Sequence, residues 1–352
     1  MEWIHDEPAY EVGQAMNRNH EFFLGIDVSK QKLDVALLRA GKIRSKVVEN
    51  SSSGHEQLAR WLGTQGATAE LTHVCLESTG PYGERISYRL ADAGWWVSVV
   101  NPAQVKGFAQ GELSRNKTDR SDAALLARFC ERMRPVQWKA PSVEWRQLRA
   151  KVERLESLKA MRQQECNRLE AHSAGQSVEL ASSLEEHIDW LDKKIVELEK
   201  DINDHIDGHP HLKADAELMC SIPGIGELTT MKVLGYIGDV RRFQSAKALA
   251  AFIGVDPKRR ESGSSVKGRS TVSRAGHAAA RRALYMPGLV ALQHNPALKV
   301  FGERLIANGL AKKAVITAVM RKLVHLIYAV VKSGQPFDPN YHRQGVAIED
   351  GI

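Results

Sequence analysis

Cysteine is scarce and scattered. The four in the chain, Cys75, Cys130, Cys166 and Cys220, form no Cys-x-x-Cys pair, which speaks against a zinc ribbon or a disulfide framework and fits a reducing cytoplasm. Aromatic residues are only 6% of the chain, a composition that argues against a secreted β-sandwich without disulfides. No clean apolar run reaches bilayer length: the most apolar late stretch, "AVITAVMRKLVHLIYAVV", carries Arg321, Lys322 and His325 and is expected to be a buried amphipathic helix. The opening "MEWIHDEPAYEVGQAMNRNH" is polar and acidic where an export leader would be basic and then apolar, so no export signal is expected. What is present is a chain of 352 residues, 43% apolar and 26% charged, a length that suggests roughly two domains. Its 49 Lys and Arg against 42 Asp and Glu leave a net charge of +7, a balance that suits a polyanionic partner.

The order of elements predicts an α/β unit followed by a helical one. "FFLGIDVSK", "KLDVALLRA" and "KIRSKVVEN" are three short β-rich runs with brief polar breaks, the pattern of a hairpin meander. "GHEQLARWLGTQG" has helical spacing, "THVCLEST" is a buried strand, "YGERISYRLADAG" a second helix and "WWVSVVNPA" another strand, after which "NKTDRSDAALLAR" opens a helix. From Trp138 onward strand signals vanish. Leu148, Val152, Leu155, Leu158 and Met161 mark one long helix; Leu184, Ile188, Leu191, Ile195, Leu198 and Ile202 step by alternating fours and threes, the seam of a coiled coil. This second helix carries ten acids against three lysines between 179 and 207, a surface that repels DNA, and it serves either assembly between chains or a solvated hairpin within one. The expected division is a tail over 1–20, an α/β domain over 21–135, long helices over 136–210, a helical domain over 211–335 and a tail over 336–352.

Four acids fall at element ends in the first domain. Asp27 closes the first strand, Glu77 closes the fourth, and Asp119 and Asp122 share a face at the start of the later helix. Convergent carboxylates suit Mg²⁺, a hard cation that prefers oxygen, and two such ions about 3.5–4 Å apart can serve phosphodiester chemistry. Taken singly, each acid has an ordinary reading: Asp119 and Asp122 complement a helix N-terminus behind the cap Thr118, a use far commoner than catalysis, Asp27 is a turn residue and Glu77 a surface acid. Capping does not explain why both Asp27 and Glu77 follow buried apolar runs, "FFLGID" and "VCLE".

In the second half, "LMCSIPGIGELTTMKV" has the glycine pattern of a helix-hairpin-helix, in which Gly224 and Gly226 would let a phosphate reach the next helix N-terminus; a plain tight turn between helices fits as well. Between 258 and 282 stand Lys258, Arg259, Arg260, Lys267, Arg269, Arg274, Arg281 and Arg282 against the single acid Glu261, an excess equal to the net charge of the whole chain. Such density is what contact with a phosphate backbone needs. "HIDGHPH", with His205, His209 and His211, lacks the cysteine or carboxylate support of a transition-metal site and reads as a linker.

"GIDVSK", "LESTGPYGERI", "VVNPAQVKGFAQGELSRNKTDRSDAALLAR" and "IPGIGELTTMKVLGYIGDVRRFQSAKALAAFIGVDPKRRESGSSVKGRS" together resemble the insertion-sequence transposases of the IS one-ten type, relatives of the Piv DNA invertase. The resemblance runs from about residue 22 to 335. It implies a RuvC/RNase H-like mixed sheet with a D-E-D-D site at Asp27, Glu77, Asp119 and Asp122, and two Mg²⁺ ions. It further implies a nucleophilic serine in the helical domain, matched by Ser262 with Ser264 and Ser265 close by, and a covalent phosphoserine–DNA intermediate. The partners implied are donor and target DNA, a structured noncoding guide RNA held by residues such as Lys106, Arg115, Lys117 and Arg120, and further copies of the chain as a dimer to tetramer, in the nucleoid of a prokaryotic cytoplasm. Three other functions compete, one of them a non-catalytic DNA-binding or regulatory protein, for which Asp27→Asn or Asp119→Asn would leave biological activity intact. A RuvC-like nuclease would use the four acids for hydrolysis and leave the serine idle; an ATP-binding actin or sugar-kinase-like protein would share "FFLGIDVSKQKLDVALL" but needs a second Asp-x-Gly phosphate loop and a glycine-rich adenosine motif, neither of which occurs in a suitable context.

Overall fold

The computed structural model describes residues 19–78, 80–112, 119–173, 178–258, 261–262, 266–267, 271–272 and 276–339. The chain divides into two compact units at Ala140 and Pro141, and each is described by itself.

The first unit is a five-stranded mixed sheet with helices on both faces. Its strands are β1 (Phe22–Val28), β2 (Lys32–Arg39), β3 (Lys42–Glu49), β4 (Thr72–Glu77) and β5 (Trp96–Val100), in the spatial order β3-β2-β1-β4-β5. The first three form the expected antiparallel meander, and β4 and β5 add in parallel beside β1. Because β1 is central, both of its faces are covered: Phe22, Leu24 and Ile26 enter one core with Leu58 and Leu62 of α1 (Ser52–Thr64) and Ile86 and Leu90 of α2 (Pro81–Asp92). Phe23 enters the other core, with Val105 of α3 (Pro102–Gly111) and Ala123, Leu126 and Ala127 of α4 (Asp119–Met133). This two-sided burial is why "FFLGI" reads as a continuous apolar run. Edge strand β3 is mostly exposed and carries Lys42, Arg44 and Lys46 at alternate positions. At the opposite edge the chain after α4 covers β5, Trp138 N–H donating to the Val97 carbonyl at 2.7 Å.

One helix departs from expectation. β5 stops at Val100, and residues 102–111 form α3 instead of prolonging the strand into "NPA". The local signal is strong: Asn101 accepts from the Ala103 N–H at 2.9 Å as N-cap, and Pro102 fills the first helical position, where its missing N–H costs nothing.

The second unit begins with two long antiparallel helices, α5 (Val143–Ser173) and α6 (Val178–Asp207). The acidic surface of α6 meets bases of α5: Lys151 pairs with Asp201 at 2.7 Å, Lys159 with Glu199 at 2.6 Å, and Arg162 with Asp192. Leu191, Ile195 and Ile202 from α6 join Leu148, Val152 and Leu155 of α5 in a core that continues into α7 (Pro210–Cys220), α8 (Glu227–Ile237), α9 (Ala246–Ile253), α10 (Ala278–Ala283), α11 (Tyr285–His294), α12 (Pro296–Ala307) and α13 (Lys312–Ser333). Met161 is the exception on the α5 stripe, 39% exposed. Helix α13 is long and apolar enough by length and composition to cross a membrane, yet half of its most apolar window is buried in this unit, where Val319, Leu323 and Ile327 are core residues.

Strands do occur after Trp138, contrary to the expectation from sequence. β6 (Pro257–Lys258) pairs with β9 (Thr271–Val272), and β7 (Glu261–Ser262) with β8 (Val266–Lys267), two short antiparallel ladders nested one inside the other. Strands of two residues are too short to leave a period in the sequence.

A buried polar contact makes the first unit acid-sensitive. His73 on β4 is buried, its Nε2 2.8 Å from Ser98 Oγ on β5, and Ser98 Oγ also lies 2.7 Å from the Val136 carbonyl. Burial, then the nearby His20 and Arg134, push the imidazole down to about 3. Neutral His73 therefore contributes stability that is complete above the unfolded value near 6.5 and is lost as pH falls from there toward 3. Urea unfolding of the full chain should show a loss of about 2 kcal/mol in this unit between pH 7 and pH 5, and His73→Gln should flatten that dependence.

Candidate active site

Gly25 decides how closely α4 approaches the sheet. A Cβ there would collide with the Ala123 carbonyl oxygen and the Ala127 nitrogen and lie 2.9 Å from Leu126 Cβ. The bare glycine lets the helix backbone rest on β1 two residues before Asp27. Direction follows from the far end of the helix, where Cys130 Sγ lies 3.5 Å from the carbonyl of His73, near the start of β4. The first turn of α4 therefore lies at the edge where β1 and β4 end. Glu112, just past α3, secures the helix from the side, pairing with Arg128 at 2.9 Å and Arg132 at 2.6 Å.

Asp27 and Glu77 stand side by side at this edge. The parallel register of β1 and β4 runs to Ile26 opposite Leu76, and the two acids occupy the next position on each strand. Both are half-buried, and both share the α4 face with Phe23, Gly25 and Cys75 by strand alternation. On α4 the sheet-facing stripe of Cys130, Ala127, Leu126 and Ala123 continues by helical spacing to positions 122 and 119. Asp122 is half-buried; Asp119 is the first residue of the helix, and its side chain lies outside the described residues.

All the donors in question are carboxylates, a set that fits a hard divalent cation and gives nothing to a thiophilic one. Among the described residues no three His, Cys, Asp or Glu side chains already converge as a metal-binding group. The histidines at 205, 209 and 211 serve structure instead: His205 Nε2 lies 3.0 Å from the Glu144 carbonyl, His209 Nδ1 2.7 Å from the His205 carbonyl, and His211 3.6 Å from the Glu144 carboxylate.

Two residues at the edge are not evident from sequence. Asn50 donates through Nδ2 to the carbonyls of Ser29 at 2.9 Å and Tyr82 at 3.1 Å, and His55 Nε2 lies 3.0 Å from its Oδ1. It thereby ties the turn after Asp27, the start of α1 and the start of α2 into one frame. Asp34 on β2 is the register partner of Asp27 and is buried. An asparagine after "VVE" reads as an ordinary turn, whereas the acid inside the apolar "KLDVALL" was the available signal for Asp34.

In the second unit Ser262 lies on β7 opposite Val266, with its side chain outside the described residues, as are Ser264 and Ser265 altogether. The same limit applies to the basic cluster: Lys258 and Lys267 lie on short strands, and Arg259, Arg260, Arg269 and Arg274 fall outside the described residues. Arg281 donates to the Ile253 carbonyl at 3.0 Å, closing the end of α9, and Arg282 is exposed. His277, a few residues before them, caps α10 by accepting from the Ala280 N–H at 3.2 Å and stacks on Phe252. In the first unit Lys106 is exposed on α3, Arg120 lies in the first turn of α4 with its side chain outside the described residues, and Arg115 and Lys117 fall outside them.

The glycines between α7 and α8 separate in role. Gly224, at φ +105°, packs against α11, where a Cβ would sit 2.7 Å from Ala291 Cβ. Gly226 is the N-cap of α8 and faces open space. Beside them an open groove of about 380 Å³ is lined by Ile225, Thr229, Met286, Pro287 and Val290.

A mixed sheet with acids at the shared ends of its central strands, joined in sequence to a largely helical unit that carries two short ladders, is consistent with a RuvC-like domain. Residues 24–173 match a DEDD transposase domain of the IS110 type, and residues 216–303 match the domain described as "Transposase IS116/IS110/IS902 family". The chain is 32% identical over 321 residues to the pilin gene-inverting protein of Moraxella lacunata, covering 91% of this chain and 98% of that relative, with the same figures for Moraxella bovis. It is 26% identical over 271 residues to the transposase for insertion sequence element IS1111A of Coxiella burnetii, covering 68% and 70%. The chain therefore belongs to the IS116/IS110/IS902 family of transposases, enzymes that recombine DNA.

Gly25→Ala should cost about 3 kcal/mol and displace α4 from the sheet, lowering DNA strand cleavage with it; urea unfolding and a cleavage assay on the same preparation check both.

Proposed function

We propose that the protein is the transposase of an insertion sequence and acts as a site-specific recombinase guided by a structured noncoding RNA. The observation that carries the proposal is the delivery of Asp27 and Glu77 by neighbouring parallel strands beneath the first turn of α4. Asp27, Glu77, Asp119 and Asp122 would hold two Mg²⁺ ions, which, when bound, polarise the scissile phosphodiester and acidify the attacking hydroxyl. The Ser262 oxygen attacks phosphorus and gives up its proton to solvent, the bond from phosphorus to a DNA oxygen breaks, and that oxygen takes a proton from solvent and departs as a hydroxyl. The product is a phosphodiester between protein and DNA, of similar energy to the one broken, so a second DNA hydroxyl can displace the serine and rejoin the strand without ATP. Relatives named as inverting a pilin gene favour this conservative course, because inversion requires rejoining.

Lys258, Arg259, Arg260, Lys267, Arg269, Arg274 and Arg282 surround the serine in sequence and neutralise DNA phosphates, with Gly226 opening the α8 N-terminus to another. Lys106, Arg115, Lys117 and Arg120 bind the guide RNA, which leaves sequence recognition to base pairing. Assembly, as a dimer to tetramer, uses the α5–α6 pair, and the enzyme works in the nucleoid. Full-length protein incubated with Mg²⁺, guide RNA and DNA should yield a detergent-resistant protein–DNA adduct. Ser262→Ala should abolish it, and Asp27→Asn or Asp119→Asn should lower its formation about 10³-fold. Hydrolysed DNA without an adduct would overturn the serine's role.

A further inference from the structure

Strand β2 carries a charge where an apolar residue would fit. Asp34 is 7% exposed, between the core residues Leu33 and Val35, and its partner across the antiparallel ladder is Asp27. Directly opposed residues share a face with Cβ atoms about 4.5–5.5 Å apart, and like charges there repel. Burying a carboxylate adds a desolvation cost, so a valine or asparagine at 34 would relieve both penalties.

The charge is held in place by Lys32. Its Nζ lies 3.0 Å from Asp34 Oδ2, on the same face two residues earlier, and its side chain is 45% exposed at the rim where β1 turns into β2. The turn fixes that rim: Ser29 Oγ donates to the Lys32 carbonyl at 2.9 Å and accepts from the Lys32 N–H at 3.2 Å. Positions 27 and 32 are then diagonal neighbours, about 7–8 Å apart, within reach of a lysine side chain.

We propose that Lys32 and Asp34 set the charge of the carboxylate edge. Asp34 is a positioning residue that tethers the Lys32 ammonium beside Asp27, and the balance of the pair determines how strongly Asp27 draws a divalent cation. The proposal rests on the metal-binding role given above to Asp27. Neutralising Asp34 removes a negative charge next to Asp27 and releases the ammonium toward it, and both effects weaken cation binding. Neutralising Lys32 leaves two carboxylates side by side, which strengthens it. A pair with a purely structural role gives both variants the same sign, since either loss breaks the same contact.

Mn²⁺ binding to the full chain without nucleic acid, followed by electron paramagnetic resonance, separates these cases. Relative to the parent, Asp27→Asn should bind about tenfold more weakly or worse, Asp34→Asn about fivefold to tenfold more weakly, and Lys32→Met about threefold more tightly. The double variant Asp34→Asn/Lys32→Met removes both charges and should return close to parent affinity; its recovery relative to Asp34→Asn tests the same opposition of signs should Lys32→Met fail to fold. Equal-signed shifts, or no response to the variants at 32 and 34 while Asp27→Asn loses binding, would overturn the role of the pair alone. A parent chain that binds no Mn²⁺ would overturn the metal-binding role of Asp27 together with it.

Discussion

The first unit depends on the contact between a helix backbone and a strand backbone at Gly25. Ordinary helix-on-sheet packing keeps the two layers about 10 Å apart through their side chains. Here a missing side chain on β1 and the small Ala123 and Ala127 on α4 bring the main chains together. That closeness carries the first turn of α4 to the end of the central strands, where the stripe changes from alanine and leucine to aspartate. Glu112 and Cys130 then restrain the helix at its flank and its far end.

Much of this was legible because the sheet is built from residues with clear periods. Three β-rich runs and two buried strands announce themselves by apolar content, and acids at the ends of "FFLGID" and "VCLE" mark where those strands leave the core. Less legible were features set by tertiary contact. Asn50 becomes informative only when the turn after Asp27 and the start of α2 meet it, and Asp34 only when the register opposes it to Asp27. Helix α3 was hidden by its own capping pair, since Asn-Pro after a strand also signals a turn. The nested ladders around Ser262 are too short for any pattern, and their pairing depends on the chain returning to itself.

Charge is arranged differently in the two units. On α6 it is neutralised locally, by Lys151, Lys159 and Arg162 of the neighbouring helix, which explains how a strongly acidic helix belongs to a basic chain. At the sheet edge near Asp27 like charges are gathered, with Lys32 alongside Asp34. Between 258 and 282 cations accumulate with a single acid among them. Stability favours the first arrangement; the other two carry a repulsion that a partner of opposite sign would relieve.

The exposed edge strand β3 has a consequence for how copies of this protein coexist. A free strand edge is a template for another strand, and proteins crowded together join sheet to sheet unless something prevents it. β5 is closed by the chain at Trp138, and β3 presents Lys42, Arg44 and Lys46 at alternate positions. An incoming β3 from a second copy would bring the same three cations against these, so the edge rejects its own kind. Copies that meet at high local concentration are thus kept from fusing edge to edge into a continuous sheet.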